Sequence, residues 1–385
     1  LLVAADVYAI HFHHDDLYNA GWDPTLTVQL PEDLPSGIYC FRYQGDVGAD
    51  RVPFFVRPAA TAQHSDIALL MPTCTYMAYA NHRMLIEGAD FVGARNNLRA
   101  EHQYLAEHRD LGLSHYEKHP DGSGVMFSSR RRPVLQLRPG ADGWNFTPDT
   151  DLNAFLTHLQ LDHDIVSDED VHIDGIAALD PYRVIVTGTH PEYWSTAMLD
   201  ALEVWQRNGG RLMYLGGNGL NCEVEFLDRH TMTVRNEVCI GTTPPGTESR
   251  MHKRLESEAN LLGVVYTDTG AMTGAPYCVV DADHWVFEGT GLSEGDIFGE
   301  KSQHMRCHGG ASGHETDKVS EYSPKNVHLL AKGLNVDDGG AEMIIHEPEG
   351  GGAVFSTASI NWLSSLLVDE HVSRITANVV KRYTA

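Results

Sequence analysis

Four stretches of this chain collect side chains that can do chemistry. The first is Pro72-Thr73-Cys74-Thr75-Tyr76-Met77-Ala78-Tyr79-Ala80-Asn81-His82, where Tyr76 and Tyr79 stand three apart and so share one face of a helix. The second is Thr189-His190-Pro191-Glu192-Tyr193-Trp194 and the third Gly216-Gly217-Asn218-Gly219. The fourth is the polar run from His304 to Asp317, which holds Gly313-His314-Glu315-Thr316-Asp317. Imidazoles, carboxylates and phenols in such places pass protons or bind cations. The 22 histidines favour a metal without identifying one, because no HExxH pair is present. Each stretch also has a plain structural reading: core tyrosines with satisfied hydroxyls, a helix-capping turn, a tight glycine turn, and a solvated acidic loop. His13-His14-Asp15-Asp16 carries metal-ligand types too, but it falls in a β-rich segment and reads as surface.

The surrounding elements decide whether these stretches meet. Asp66–Pro72 is a short apolar run of the kind a parallel sheet buries on both faces, with a helix expected over Tyr76–Ile86. Asp151–His158 reads as a helix opened by an acidic cap, and Leu161–Val166 as a strand running into an acidic loop. Tyr182–Gly188 is the clearest buried strand. Ser195 then caps a helix with Met198, Leu199, Leu202, Val204 and Trp205 at the 3.6-residue period, stopped at Asn208-Gly209-Gly210. Arg211–Leu215 is the next strand, so the unit is a βαβ crossover, right-handed by rule. The second and third stretches are thus successive strand exits, where open α/β sheets bind ligands. Asn221–Asn326 is loop-rich, with weak elements at Leu261–Tyr266 and Cys278–Val280. Ala341–Ile345 and Ala353–Ser356 form a hairpin, and a helix over Leu363–Lys381 closes the chain. Together these predict an α/β fold with an open, mostly parallel, doubly wound sheet, glutamine-amidotransferase-like, over residues 61–385. Residues 1–60 read as the end of a β-sandwich, with strands at Tyr8–Phe12, Thr25–Leu30, Ile38–Tyr43 and Val52–Pro58.

Composition excludes several classes. The chain has 385 residues, 53 acidic against 28 basic, for a net charge of −25. That argues against nucleic acid, which demands clustered cations, and favours solubility and salt tolerance, a halotolerant surface. The one basic run, Arg130-Arg131-Arg132, reads as a loop edge or partner contact. No apolar stretch approaches the roughly 20 residues of a membrane span. Six dispersed cysteines without a CxxC pair suit a reducing cytoplasm. The opening Leu-Leu-Val-Ala-Ala-Asp lacks an initiator Met and a basic n-region, and reads as a fragment or a processed chain.

PTCTYMAY at Pro72–Tyr79, the His190-Pro191-Glu192-Tyr193-Trp194-Ser195 exit, Gly216-Gly217-Asn218, and Gly350–Ser356 with Trp362 together resemble the large (beta) subunit of N,N-dimethylformamidase; Leu34–Pro58 is similar to the stretch preceding its catalytic domain. The resemblance implies an iron-dependent amidohydrolase converting N,N-dimethylformamide to formate and dimethylamine. It implies a mononuclear, non-haem ferric iron held by two tyrosines and a glutamate: Glu192, Tyr116, and either Tyr76 or Tyr79. It also implies Glu315 as general base, His190 and Asn218 as hydrogen-bond donors to the developing oxyanion, and Phe355 as a wall of the substrate pocket. A small helical second subunit in a hetero-oligomer, with two or more copies of each, is implied too. Three alternatives stay open: a hydrolase of another small amide, a non-catalytic binding module on the same fold, and a hydrolase using Cys74 as nucleophile.

Overall fold

The computed structural model describes residues 17–46, 48–59, 61–83, 100–138, 145–234, 248, 254–348 and 352–385. A hairpin comes first: β1 (Gly37–Gly45) pairs antiparallel with β2 (Gly48–Val56). Its open end docks on the main sheet, where Phe55 meets the rings of Tyr76 and Phe146 and Ser36 Oγ accepts from Ile165 N at 2.8 Å. Thr25–Leu30, expected as a strand from its alternation, is irregular and mostly exposed. Among the described residues it has no pairing strand, and alternation alone does not make one. Tyr8–Phe12 and His13–Asp16 lie outside the described residues.

The core is a nine-stranded sheet. Five strands are parallel: β3 (Ile67–Met71), β4 (Asp164–Ser167), β5 (Val184–Thr187), β6 (Arg211–Tyr214) and the strand Ala353–Ser356. They lie in the spatial order β4, β3, β5, β6, Ala353–Ser356. The other half is antiparallel, built from Glu342–His346, His328–Gly333, Tyr277–Val279 and Ile297–Phe298. The sheet is therefore mixed, where mostly parallel was expected; within the loop-rich Asn221–Asn326 the weak element Cys278–Val280 is an internal strand, and the two-residue edge strand Ile297–Phe298 has too few residues to show a period. In the parallel half the first strand in the chain sits between the second and third, so the order reverses between β3 and β5. That reversal opens a crevice at the strands' carboxyl ends.

Helices connect these strands. The helix α1 (Thr73–Ala78) follows β3 directly and is shorter than the expected Tyr76–Ile86; residues 84–99 are outside the described set. The helix α2 (Phe146–His158) starts five residues before the expected Asp151. The acidic loop after β4 is in fact α3 (Asp168–Asp174), opened by a reciprocal Ser167–Asp170 capping box. Ser195 caps α4 (Thr196–Arg207) as its sequence predicts, and Gly209 ends it at φ +100°. Met198, Leu199, Leu202 and Trp205 are buried, but Val204 is 42 % exposed. The closing helix is split into Trp362–Ser365 and α5 (Glu370–Thr384), because Asp369 caps a fresh start. Arg132, in the basic run, is buried and donates to Leu113 O and Ser128 Oγ, so it is an internal tie. The five described cysteines are free thiols. No helix among the described residues is long and apolar enough to cross a membrane.

Candidate active site

The crevice at the order reversal is where the predicted residues meet. Tyr79 sits at the end of α1, and the loop bearing Tyr116 is fastened beside it. His115 N donates to Ala78 O at 3.0 Å, the Arg132 guanidinium holds Leu113 O at 2.8 Å, and a buried Arg83–Glu117 pair closes at 2.9 Å. The rings of Tyr79 and Tyr116 consequently stack at 4.1 Å. His190 and Glu192 leave β5. Asn218 leaves β6 at φ +50°, a left-handed position that asparagine tolerates. Glu315 lies between the short strands Ser312–Gly313 and Thr316–Lys318.

Glu192 is the hub of this group. Its Oε2 accepts from Tyr116 Oη at 2.8 Å and Tyr79 Oη at 3.2 Å, and stands 2.9 Å from His190 Nε2. Its Oε1 accepts from Asn218 Nδ2 at 3.4 Å, and the same amide donates to Glu315 Oε2 at 2.9 Å. His190 Nδ1 points to Gly217 O at 2.8 Å, which leaves Nε2 facing both carboxylates, with Glu315 at 3.6 Å. Two residues that sequence reasoning passed over complete the set. Asn221 Nδ2 donates to Asn218 Oδ1, which fixes the direction of the Asn218 amide, and Tyr193 Oη donates to Tyr116 Oη at 2.6 Å. Tyr193 lies inside the quoted HPEYW run; adjacency to Glu192 was its only sequence signal.

Electrostatics follow from burial of so many acids together. Burial, then the neighbouring Glu192 charge, pushes the phenols of Tyr79, Tyr116 and Tyr193 well above the ordinary tyrosine value. Burial also raises Glu315, partly offset by His190. For His190 burial works against the charged form, but the Glu192 and Glu315 carboxylates outweigh it and raise the ring to about 9. The cavity thus has more buried anionic capacity than cation.

The sequence left Tyr76 and Tyr79 as alternatives, and the geometry separates them. Tyr76 gives its hydroxyl to Asp149, whose Oδ1 takes Thr189 N at 2.6 Å; burial raises this carboxyl to about 6. Tyr79, not Tyr76, joins Tyr116 and Glu192. Phe355 is fully buried in the strand Ala353–Ser356. The cleft beside Tyr79, of about 30 Å³, is walled by Ala80, Val134, Leu137 and Phe146. Cys74 is buried with its thiol raised well above the usual value by burial and Asp168, which is opposite to an activated nucleophile.

No group of three or more His, Cys, Asp or Glu has a metal-binding arrangement among the described residues. A metal here would need the phenols. The two phenol oxygens stand 2.8 and 3.2 Å from Glu192 Oε2. Three hard oxygen donors thus converge on one point of the crevice, a donor set that fits a small, highly charged cation.

A family described as N,N-dimethylformamidase beta subunit-like, C-terminal, matches residues 3–374. The chain is 30 % identical to the N,N-dimethylformamidase beta subunit of Paracoccus aminophilus and 29 % to that of an Alcaligenes species, over 97 % of its own length in both cases. It spans 56 % of the length of each of these relatives. Among solved structures, a putative ThuA-like protein of Bacteroides uniformis is similar at TM-score 0.38 and 14 % identity, covering 62 % of this chain and 84 % of that one. A cytoplasmic protein of Salmonella typhimurium is similar at TM-score 0.36 and 15 % identity, covering 60 % and 85 %. These structural likenesses are too distant to argue from. The match along nearly all of its length is decisive: the chain belongs to the N,N-dimethylformamidase beta subunit-like, C-terminal family.

Proposed function

We propose that this chain carries the catalytic site of an amide hydrolase that cleaves N,N-dimethylformamide to formate and dimethylamine, with a mononuclear ferric iron held by Tyr79, Tyr116 and Glu192. The observation that carries the reading is the convergence of these three oxygens in the crevice where the strand order reverses. Phenolates and a carboxylate are hard anionic donors suited to such an ion. When bound, it supplies a Lewis acid for the amide carbonyl and lowers the pKa of water.

The chain's own residues do the rest. Glu315, the carboxylate not claimed by a phenol, takes a proton from the attacking water and returns it to the nitrogen as the C–N bond breaks. Asn218 Nδ2 and His190 Nε2 stand beside it and donate to the carbonyl oxygen as negative charge grows there. The Gly217 carbonyl on His190 Nδ1 and the Asn221 amide on Asn218 hold these two side chains in direction. Ala80, Val134, Leu137 and Phe146 offer the N-methyl groups an apolar wall in the adjoining cleft, the role expected of Phe355. The relatives are named as beta subunits, which supports a partner subunit in a hetero-oligomer; the family resemblance adds that this partner is small and helical.

Metal analysis with an optical spectrum tests this reading. The expected result is about one iron per chain and a tyrosinate-to-iron charge-transfer band, lost in Tyr79→Phe and Tyr116→Phe and kept in Tyr76→Phe. Amine release from N,N-dimethylformamide should follow, with other formamides and acetamides slower. A protein that stays colourless after iron loading and releases no amine overturns it.

A further inference from the structure

We infer that Tyr193 is a positioning residue for Tyr116: its hydroxyl holds the Tyr116 oxygen toward Glu192 and withdraws electron density from it. This rests on Tyr79, Tyr116 and Glu192 as the cation's donors. The direction of the hydrogen bonds carries the inference. Tyr193 donates to Tyr116 at 2.6 Å, and Tyr116 donates to Glu192 at 2.8 Å. The proton a cation must displace is therefore the one Tyr116 gives to Glu192. The Tyr193 proton can stay, still pointing at the oxygen that becomes a phenolate.

Tyr116 needs such a latch more than Tyr79 does. Tyr79 ends a helix and is buried, whereas Tyr116 stands in a loop and is 38 % exposed as a residue, with its hydroxyl end enclosed between Glu192 and Tyr193. Tyr193 is fixed on its own account. It lies on the two-residue strand Tyr193–Trp194, parallel to Cys222–Phe226, with its ring 6.3 Å edge-on from Tyr79 and 6.4 Å from His115. Among the described residues its hydroxyl has no other hydrogen-bond partner, so phenylalanine would fill the same space and lose only this contact.

The two phenols thereby differ. Tyr79 Oη lies 3.2 Å from the His190 imidazole, and Tyr116 Oη takes a neutral hydroxyl. A donor to a phenolate lowers its charge donation and leaves the cation a stronger Lewis acid.

The test is Tyr193→Phe in the iron-loaded protein. Expected are unchanged iron content, a charge-transfer band moved to longer wavelength, and a kcat lower by roughly three- to tenfold with KM little changed. A second measurement needs no variant. In the wild type, the C–O stretch of Tyr116, told apart from Tyr79 by selective isotope labelling, should shift between H2O and D2O. An iron-loaded, coloured wild type without that shift, or a Tyr193→Phe band at the wild-type wavelength, overturns the inference alone. A wild type that holds no iron and shows no band overturns the metal reading, and this inference with it.

Discussion

Asn221 bonds neither the phenols nor Glu192, yet it holds the carbonyl end of the Asn218 amide whose other end faces two carboxylates. Without its donor the Asn218 carbonyl end loses its partner, and the side chain is tied only at Nδ2, by the two carboxylates, about which it can pivot. Asn221→Ala should therefore cut the rate of amine release by about tenfold, with a stability loss of only about 1 kcal/mol. Steady-state kinetics beside a denaturation curve check this; a variant as active as wild type would make the amide's direction immaterial. This scale was the most legible in the sequence for types and the least for partners. Tyr116, Glu192, His190, Asn218 and Glu315 could be named from a motif resemblance, but nothing in the letters assigns Tyr76 to Asp149. That pairing depends on α2 starting at Phe146, ahead of the Asp151 cap the sequence advertised. Asp149 has no sequence neighbour that marks it and acts on segments 40 and 73 residues away, whereas Asn221 stands only three residues beyond Asn218, just outside the glycine turn that was read as a site.

Elements place these side chains by close approach. At Gly217 a Cβ would stand 2.5 Å from Glu315 O and 2.9 Å from Ile360 N; at Gly216 it would stand 2.3 Å from Thr189 O. The exit turn of β6 is pressed between the loops bearing Glu315 and His190, and only glycine leaves room. Gly217→Ala should force the Glu315 segment outward, costing roughly 1–3 kcal/mol of stability and a much larger share of activity. Thermal unfolding and turnover measured on the same preparation check it. Full activity would show that the turn yields without moving Glu315. The glycines read from sequence as either a turn or a site, and they are both for one steric reason. The β3, β5, β6 and α4 segments were legible because apolar runs, a serine cap and a glycine stop agree there. The antiparallel half was legible only in part: the hairpin of Glu342–His346 with Ala353–Ser356 and a weak element at Cys278–Val280 were expected, but Ile297–Phe298 is too short for a period to register and His328–Gly333 was not expected.

Across the whole molecule, buried histidines set an acid limit. His304 Nδ1 accepts Arg306 N at 3.2 Å and Cys307 N at 3.0 Å, so protonating it breaks both bonds. Burial, with the nearby Arg306 charge, lowers this ring to about 3 against 6.5 in the unfolded chain. The unfolded chain then takes the proton first as pH falls. The contribution of His304 is whole above pH 6.5 and is lost progressively toward pH 3. Asp317 has the opposite sign: burial pushes it up to about 7, so its neutral form favours the fold in acid and its share is lost as pH rises through 7. Melting temperature against pH should therefore show His304→Gln below wild type at pH 7.5, with the gap closing toward pH 4. A constant gap would mean the ring does not titrate differently in the two states.

The crevice takes its donors from the exits of β3 and β5, from the Tyr116 loop, from the turn after β6 and from the loop beyond Gly313. These lie far apart along the polypeptide, and no shorter piece holds two phenols and Glu192 together. A newly made chain therefore has nothing to offer a metal until its long-range contacts have formed. On the proposed iron reading, capture of the ion would be a late step that reports completed folding, and its loss on heating should coincide with unfolding and not precede it.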